Sequence, residues 1–402
     1  MAGDVFMSPA MQPCSVHRNR GRCLVMSSTS ARIGEDSELA WSFPMQGQSH
    51  FTWEYDSERE SLLSLYQKGK DKQWDSTKRI DWSLEVDPCD ALGTPEHTLG
   101  LYGSNQYAKL NAQEKRELRQ HMAAWEFSQF LHGEQGAMIC SARIVESVPD
   151  LDSKFYASTQ VMDEARHVEL FSRFVQEKIE MSYPISPHLK TLLGETLSGS
   201  HWDMPYLGMQ VLIEGLALAA FGILRDKTTK PLPKQILSYI MQDEARHVAF
   251  GRLALRDYYK NLSSQELAER EEFIIEGCYL MRDRLRMQEV WENLGFDMKE
   301  CMEYMNNGPR MRAFRSLLFT RIVPCVKDIG LWSPRIQKAY DDMGVLDLAG
   351  ADLVKLMESD ELQAEALDAE RREMEARRDE VHEAIAQGAL AASGPDGSTP
   401  AG

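Results

Sequence analysis

The chain has 402 residues, enough for one large domain or two ordinary ones, and its 43% apolar and 27% charged residues are normal globular composition. Its 62 acidic against 45 basic side chains leave a net charge of -17, which argues against nucleic acid or an anionic membrane surface as partner and for a small molecule or a protein. Seven cysteines, odd in number and scattered without CxxC spacing, point to reduced thiols and a cytoplasmic setting.

The elements follow in chain order. In "HRNRGRCLVM" basic residues precede an apolar run of about four residues, short of the roughly 7–15 of a signal-peptide core, so residues 1–45 read as a disordered leader in which Met26 is an alternative start. Apolar residues then recur at helical spacing through "EYDSERESLLSLYQKGKDKQW" and through "KRELRQHMAAWEFSQFLHGEQGAMICSARIVESV". Asn111 with Glu114 forms a capping-box spacing before the second of these, and Pro149 with Asp150 ends it. "DSKFYASTQVMDEARHVELFSRFVQEKI" is the next helical stretch, closed by Pro184 and Pro187.

Met204 to Leu224, "MPYLGMQVLIEGLALAAFGIL", has about the length of a bilayer span, roughly 20 residues, but carries Gln210 and Glu214 near its middle. It reads as a helix buried on most sides of a soluble protein. After a break at Pro231 and Pro233 come "KQILSYIMQDEARHVAFGRLALRDYYK" and a second capping box, Ser263 with Glu266. No stretch alternates with period two for long enough to make a strand. "ELQAEALDAERREMEARRDEVHEAIAQ" is a charge-dense helix with a thin apolar stripe, and "GALAASGPDGSTPAG" has a disordered composition. The expected organisation is a leader (1–45), a helical domain (46–330), a helical extension (331–387) and a tail (388–402).

Within this helical chain the pentapeptide DEARH occurs twice, at 163–167 and 243–247. Glu134 and Glu214, each a lone carboxylate in an apolar helix, are separated by the same 80 positions, and each precedes the Glu of its pentapeptide by 30 residues. The midpoints of both intervals, positions 149 and 229, fall on helix breaks. Each copy is therefore an antiparallel hairpin with arms of about 15 residues, roughly 22 Å, that brings its two Glu residues to one height. Glu164 with His167, and Glu244 with His247, are three apart and share a helical face.

Four carboxylates and two imidazoles then meet in a bundle core, where unpaired charges would each cost several kcal/mol. Two divalent cations balance four carboxylates, and mixed carboxylate and imidazole ligation suits iron or manganese better than thiolate-bound zinc.

A Glu from each of two helices with Glu-x-x-His from each of two others resembles the ferritin-like, ribonucleotide-reductase-like non-haem di-iron proteins, over roughly residues 105–260. The resemblance implies an all-α, ferritin-like four-helix bundle made of two hairpins joined by a long crossover, with flanking helices. It implies Glu134, Glu164, His167, Glu214, Glu244 and His247 as ligands of two iron ions, or of a manganese and iron pair. It further pairs Asp243 with His167 and Asp163 with His247, Arg166 and Arg246 balancing the aspartates. His121 and His132 lie off the ligand face. Phe130, Met138, Ser141, Leu218 and Phe221, one turn from the ligands, are the candidates to line a pocket.

The implied function is an O2-activating oxidase or oxygenase that hydroxylates or N-oxygenates a small organic molecule, with electrons from a separate donor protein. A homodimer is left open. No GxGxxG or P-loop element indicates a nicotinamide, flavin or ATP site. The alternatives are a reductase-like radical or ligand-binding oxidase, and a ferroxidase without an organic substrate. Phe171 stands where the reductase has its radical tyrosine, Leu218 where multicomponent hydrocarbon monooxygenases place threonine, and Ile240 where aminoarene N-oxygenases add a third His. An organic oxygenase requires an apolar cavity at the metals, whereas a ferroxidase requires an acidic ion path.

Overall fold

The computed structural model describes residues 41–392, apart from residue 45 and residues 56–58. Most of the expected leader and residues 393–402 of the expected tail lie outside the described residues. Among the described residues there is no strand, and the regular elements are helices. They fall into two compact units, one up to Leu353 and one from Val354 on.

The first long helices are α1 (Glu60–Asp71), α2 (Ala112–Ser147), α3 (Leu151–Phe174), α4 (Pro187–Ser198), α5 (Glu214–Lys227), α6 (Pro231–Tyr259) and α7 (Ser264–Arg284). Their ends follow local chemistry. Asn111 and Glu114 close a reciprocal capping box on α2, as Ser263 and Glu266 do on α7, which satisfies backbone N–H groups the first turn leaves free. Pro149 follows α2 and cannot continue it, and the Asp150 side chain accepts from Ser153 N to start α3. Pro187 and Pro231 sit in first turns, where a missing N–H costs nothing.

α2 and α3 pack along their lengths as one hairpin and α5 and α6 as the other, and α3 meets α6 across the bundle. The chain crosses from one hairpin to the other through α4, giving the ferritin-like four-helix architecture. α1 lies over α3 and α6, close enough that a Cβ at Gly69 would come within 2.9 Å of Thr159 Oγ1. A fully buried pair, Arg270 to Asp203 with both contacts at 3.0 Å, fastens α7 to the segment ahead of α5.

The apolar stretch at Met204–Leu224 departs from a regular α-helix. Tyr206–Ile213 forms a π-helix, and α-helical bonding resumes at Glu214. A π-helix turns more residues per revolution, so it re-aims the side chains that follow. Composition carries no signal for this. The helix is long and apolar enough to cross a membrane by length and composition alone, but most of it is buried in the bundle. Gly251 of α6 is required beside it, since a Cβ there would approach Gln210 Cβ to 2.5 Å.

Beyond α7 come α8 (Gln288–Asn293), α9 (Met298–Asn307), α10 (Pro309–Leu318), α11 (Ile322–Asp328) and α12 (Pro334–Asp342). The described residues of the second unit all lie in one long helix, α13 (Leu353–Ala392), with Leu362 and Val381 exposed along its thin apolar stripe.

Candidate metal centre

The two hairpins bring Glu134 (α2), Glu164 and His167 (α3), Glu214 (α5), and Glu244 and His247 (α6) into one buried cluster; none is more than 5% exposed. Their ligand-type atoms converge as two sets, Glu134, Glu164, His167 and Glu244 in one and Glu164, Glu214 and His247 in the other, with the atoms of each set within 4.8 Å of one another. Glu164 belongs to both. Its Oε2 lies 3.3 Å from His167 Nδ1 and its Oε1 lies 3.1 Å from His247 Nδ1, so one carboxylate spans the cluster. Glu134 Oε2 and Glu244 Oε1 complete the surroundings of His167 Nδ1 at 3.3 and 3.2 Å.

The outer ring nitrogens face aspartates. Asp243 Oδ2 lies 3.1 Å from His167 Nε2 and Asp163 Oδ2 lies 3.4 Å from His247 Nε2, so each aspartate meets the imidazole of the other pentapeptide. Arg166 donates to Asp163 at 2.5 Å and to Asp243 at 2.9 Å, and Arg246 donates to the same two carboxylates. Two aspartates and two arginines thus cancel, and the charge of the inner carboxylates is left for the centre to balance.

Electrostatics separates the inner groups. Burial raises the Glu134 and Glu214 carboxyls well above the ordinary range, and a neighbouring carboxylate, Glu244 and Glu164 respectively, raises each further. Burial also opposes charge on Glu164, but His247 and a hydrogen bond from His167 outweigh it and hold this carboxyl well below that range. The imidazoles respond in kind: burial opposes their charge, and the acceptors around His167 and Glu164 beside His247 overcome it, raising both.

A pair of divalent cations fits this donor set. Glu164 Oε2, Glu214 Oε2, both carboxylate oxygens of Glu244, and His247 Nδ1 are buried without a hydrogen-bond partner. Such atoms are rare inside proteins, and five at one centre call for ions. With Nε2–H directed at each aspartate, a neutral imidazole turns its Nδ1 lone pair inward at carboxylates, which is repulsive unless a cation lies between; without the cations a second proton on Nδ1 takes that place, and this is why both imidazoles are raised.

Three residues of this environment carry no motif in the sequence. Gln73 donates to Asp163 at 2.8 Å and accepts from Arg166 at 2.9 Å, and Trp74 Nε1 donates to Asp243 at 3.0 Å. Both follow α1, which has no counterpart in the repeat. Gln160, one turn before Glu164 on the same helical face, donates to Glu164 and to Glu214; its spacing was the available signal.

His121 and His132 stay away from the cluster. His121 Nδ1 lies 2.6 Å from the Tyr183 hydroxyl and His132 Nε2 lies 2.9 Å from the Tyr183 carbonyl. Ile240 is fully buried, so among the described residues the cluster holds two imidazoles and no third.

A small pocket reaches Glu134, Glu214 and Glu244. Phe130 and Phe221 line it as expected, but Ala137 and Ala217 take the places expected for Met138 and Leu218, and Ser141 is absent from its wall. The residues three positions after the ligands face the pocket, not those four after. Ser141 is fully buried, its Oγ without a partner. Phe130, Phe171 and Phe221 form a cluster of tilted and edge-to-face rings with centroids 4.8–5.7 Å apart. The pocket adjoins a cavity of about 290 Å³, both being bounded by Gln129, Phe130, Leu216 and Arg284. Met122, Met287, Met305 and Met311 give the cavity much of its apolar wall, and its charged side chains are Asp90, Arg119, Glu126, Lys227, Arg284 and Arg310.

Comparison with solved structures finds dimanganese(II)-NrdF of Streptococcus sanguinis, 12% identical with a TM-score of 0.43, over 72% of this chain and 98% of that one. It also finds a variant of an R2-like ligand-binding oxidase with an aerobically reconstituted Mn/Fe cofactor, 17% identical with a TM-score of 0.42, over 69% of this chain and 99% of that one. No curated protein matches. Residues 56–330, more than half of the sequence and every residue of the cluster, match the family of the p-aminobenzoate N-oxygenase AurF, and the chain belongs to this family of di-iron oxidoreductases within the ferritin-like superfamily.

Proposed function

We propose that the chain is an O2-dependent oxygenase that hydroxylates or N-oxygenates a small organic molecule at a two-iron centre held by Glu134, Glu164, His167, Glu214, Glu244 and His247. A manganese and iron pair is the alternative occupant. When bound and reduced, the two metal ions supply electrons to O2 together. One turnover consumes R–NH2 or R–H, O2, two electrons and two protons, and yields R–NHOH or R–OH and water. A separate carrier protein in the cytoplasm supplies the electrons.

The observation that carries this reading is the apolar approach to the ligands. Ala137, Ala217, Phe130 and Phe221 line the inner pocket, which joins the larger apolar cavity. A ferroxidase would instead need a continuous run of acidic side chains along that route, whereas Asp90 and Glu126 in the cavity wall are outnumbered by Arg119, Lys227, Arg284 and Arg310, and the inner pocket adds no acid to the ligands themselves.

The residues of the chain have distinct parts in this scheme. Asp163 and Asp243 orient the imidazoles, and Arg166 and Arg246 pair with those aspartates and balance their charge. The phenylalanine cluster keeps water from the reacting atoms. Arg284 stands where pocket and cavity meet, buried, and among the described residues its side chain has no hydrogen bond or ion pair. Burial lowers its guanidinium to about 10, partly offset by Glu289, so it stays charged at neutral pH. An acidic group on the substrate is its complement, leaving the opposite end of the molecule in the pocket.

The test is aerobic turnover of iron-loaded protein, with a chemical reductant and mediator as the electron source, on small aromatic and aliphatic amines, with and without a carboxylate, followed by mass spectrometry under 18O2. The expected result is a product 16 mass units heavier than the substrate with natural O2 and 18 units heavier with 18O2. Iron oxidation without any organic product would instead favour the ferroxidase.

A further inference from the structure

The internal repeat is broken at one polar position beside the metal centre. Gln160 is fully buried on α3, and its side-chain amide nitrogen lies 3.0 Å from Glu164 Oε1 and 2.8 Å from Glu214 Oε1. An amide NH2 has two hydrogens. Both are engaged here, each on a different helical hairpin. The position 80 residues on is Ile240, also fully buried and without a side-chain hydrogen-bonding atom, so the Glu134 and Glu244 side of the cluster has no equivalent clamp.

The donor atoms divide in the same way. The set around His167 has four residues whose donor atoms all lie within 4.8 Å of one another; the set around His247 has three, Glu164, Glu214 and His247, with Glu244 Oε1 at its edge 3.6 Å from His247 Nδ1. Both carboxylates that Gln160 holds belong to the smaller set. Without this amide, the two oxygens would face each other across a dry interior with only repulsion between them, and Glu214 Oε1 would lose the one donor found for it, its Oε2 having none.

We infer that Gln160 is a positioning residue for one of the two metal positions: it holds Glu164 and Glu214 together for a second, weaker-bound cation, and the four-donor position fills first. This rests on the ligand assignment proposed above. A donor that orients metal ligands typically contributes roughly 10–100-fold in affinity.

The experiment titrates Mn(II) into the chelator-treated full-length chain without O2, following the signal of free Mn(II) by electron paramagnetic resonance. The parent is expected to bind two ions in two resolvable steps. Gln160→Leu places the kind of side chain the repeat accepts at position 240. It should keep the first step and weaken the second by 10-fold or more. Gln160→Asn, whose amide is one methylene shorter and cannot reach both oxygens, should fall between them and serves alone if the Leu variant does not fold. Two steps at parental affinity in both variants would overturn the inference. So would equal weakening of both steps, which would mark a merely structural role. Failure of the ligand assignment looks different: the parent itself then binds fewer than two ions.

Discussion

Asp243 offers the most demanding test of the charge accounting around the cluster. It is fully buried and accepts from Trp74 Nε1 at 3.0 Å, from Arg166 at 2.9 Å and from Arg246, with His167 Nε2 at 3.1 Å. Asp243→Asn keeps the shape and one acceptor oxygen but removes the charge, leaving Arg166 and Arg246 against Asp163 alone. Removing one partner of a buried ion pair costs about 3–5 kcal/mol, a large part of the roughly 5–15 kcal/mol by which a domain is stable. The variant should unfold in urea with a free energy lower by that amount. Because His167 loses its orienting acceptor, metal affinity should fall roughly 10–100-fold. Adding Arg246→Met restores neutrality, with Arg166 against Asp163, so the double variant should recover part of the loss, with a coupling of about 1–3 kcal/mol. An Asn variant within 1 kcal/mol of the parent, holding metal equally well, would refute the reasoning.

Other consequences follow from single groups. Burial raises Glu126 in the cavity wall from 4.5 to about 7, with Lys227 partly offsetting it. Between those values the folded chain keeps a proton that the unfolded chain has released, so stability falls as pH rises through this window. Glu126→Gln should therefore be more stable than the parent at pH 8, on the order of 3 kcal/mol, with the difference gone near pH 4.5 in denaturation series. Arg284→Gln should raise KM at least 10-fold for a carboxylate-bearing substrate and leave that of a neutral analogue within twofold; equal effects on both would remove Arg284 from substrate recognition. Ser263→Ala removes the cap of α7 and should cost about 1 kcal/mol in thermal unfolding without changing metal content.

Much of the centre was legible because it is built from repetition. A carboxylate inside an apolar helix has no ordinary explanation, and two of them at the spacing of the two pentapeptides turned Glu134 and Glu214 from oddities into partners. Helix starts at Asn111, Pro231 and Ser263 and the stop before Pro149 are local chemistry and equally readable. What escaped is what arises only from assembly. Gln73 and Trp74 reach the aspartates from a helix outside the repeat, across 90 and 169 positions of sequence. The cavity wall draws on four separated stretches of chain, near residues 90–100, 119–130, 216–227 and 284–318. The π-helix before Glu214 left no mark in composition, and the choice of Ala137 over Met138 as pocket wall depends on a helical rotation that a one-turn rule does not resolve.

The central claim is that two metal ions sit between these two hairpins. Anaerobic loading with Fe(II), followed by metal counting and Mössbauer spectroscopy before and after O2, tests it most directly. The account predicts two irons per chain in the parent, oxidised together by O2, and loss of the coupled pair in both Glu134→Ala and Glu244→Ala while their helical content stays intact. Two irons bound and oxidised as in the parent by either variant would contradict it.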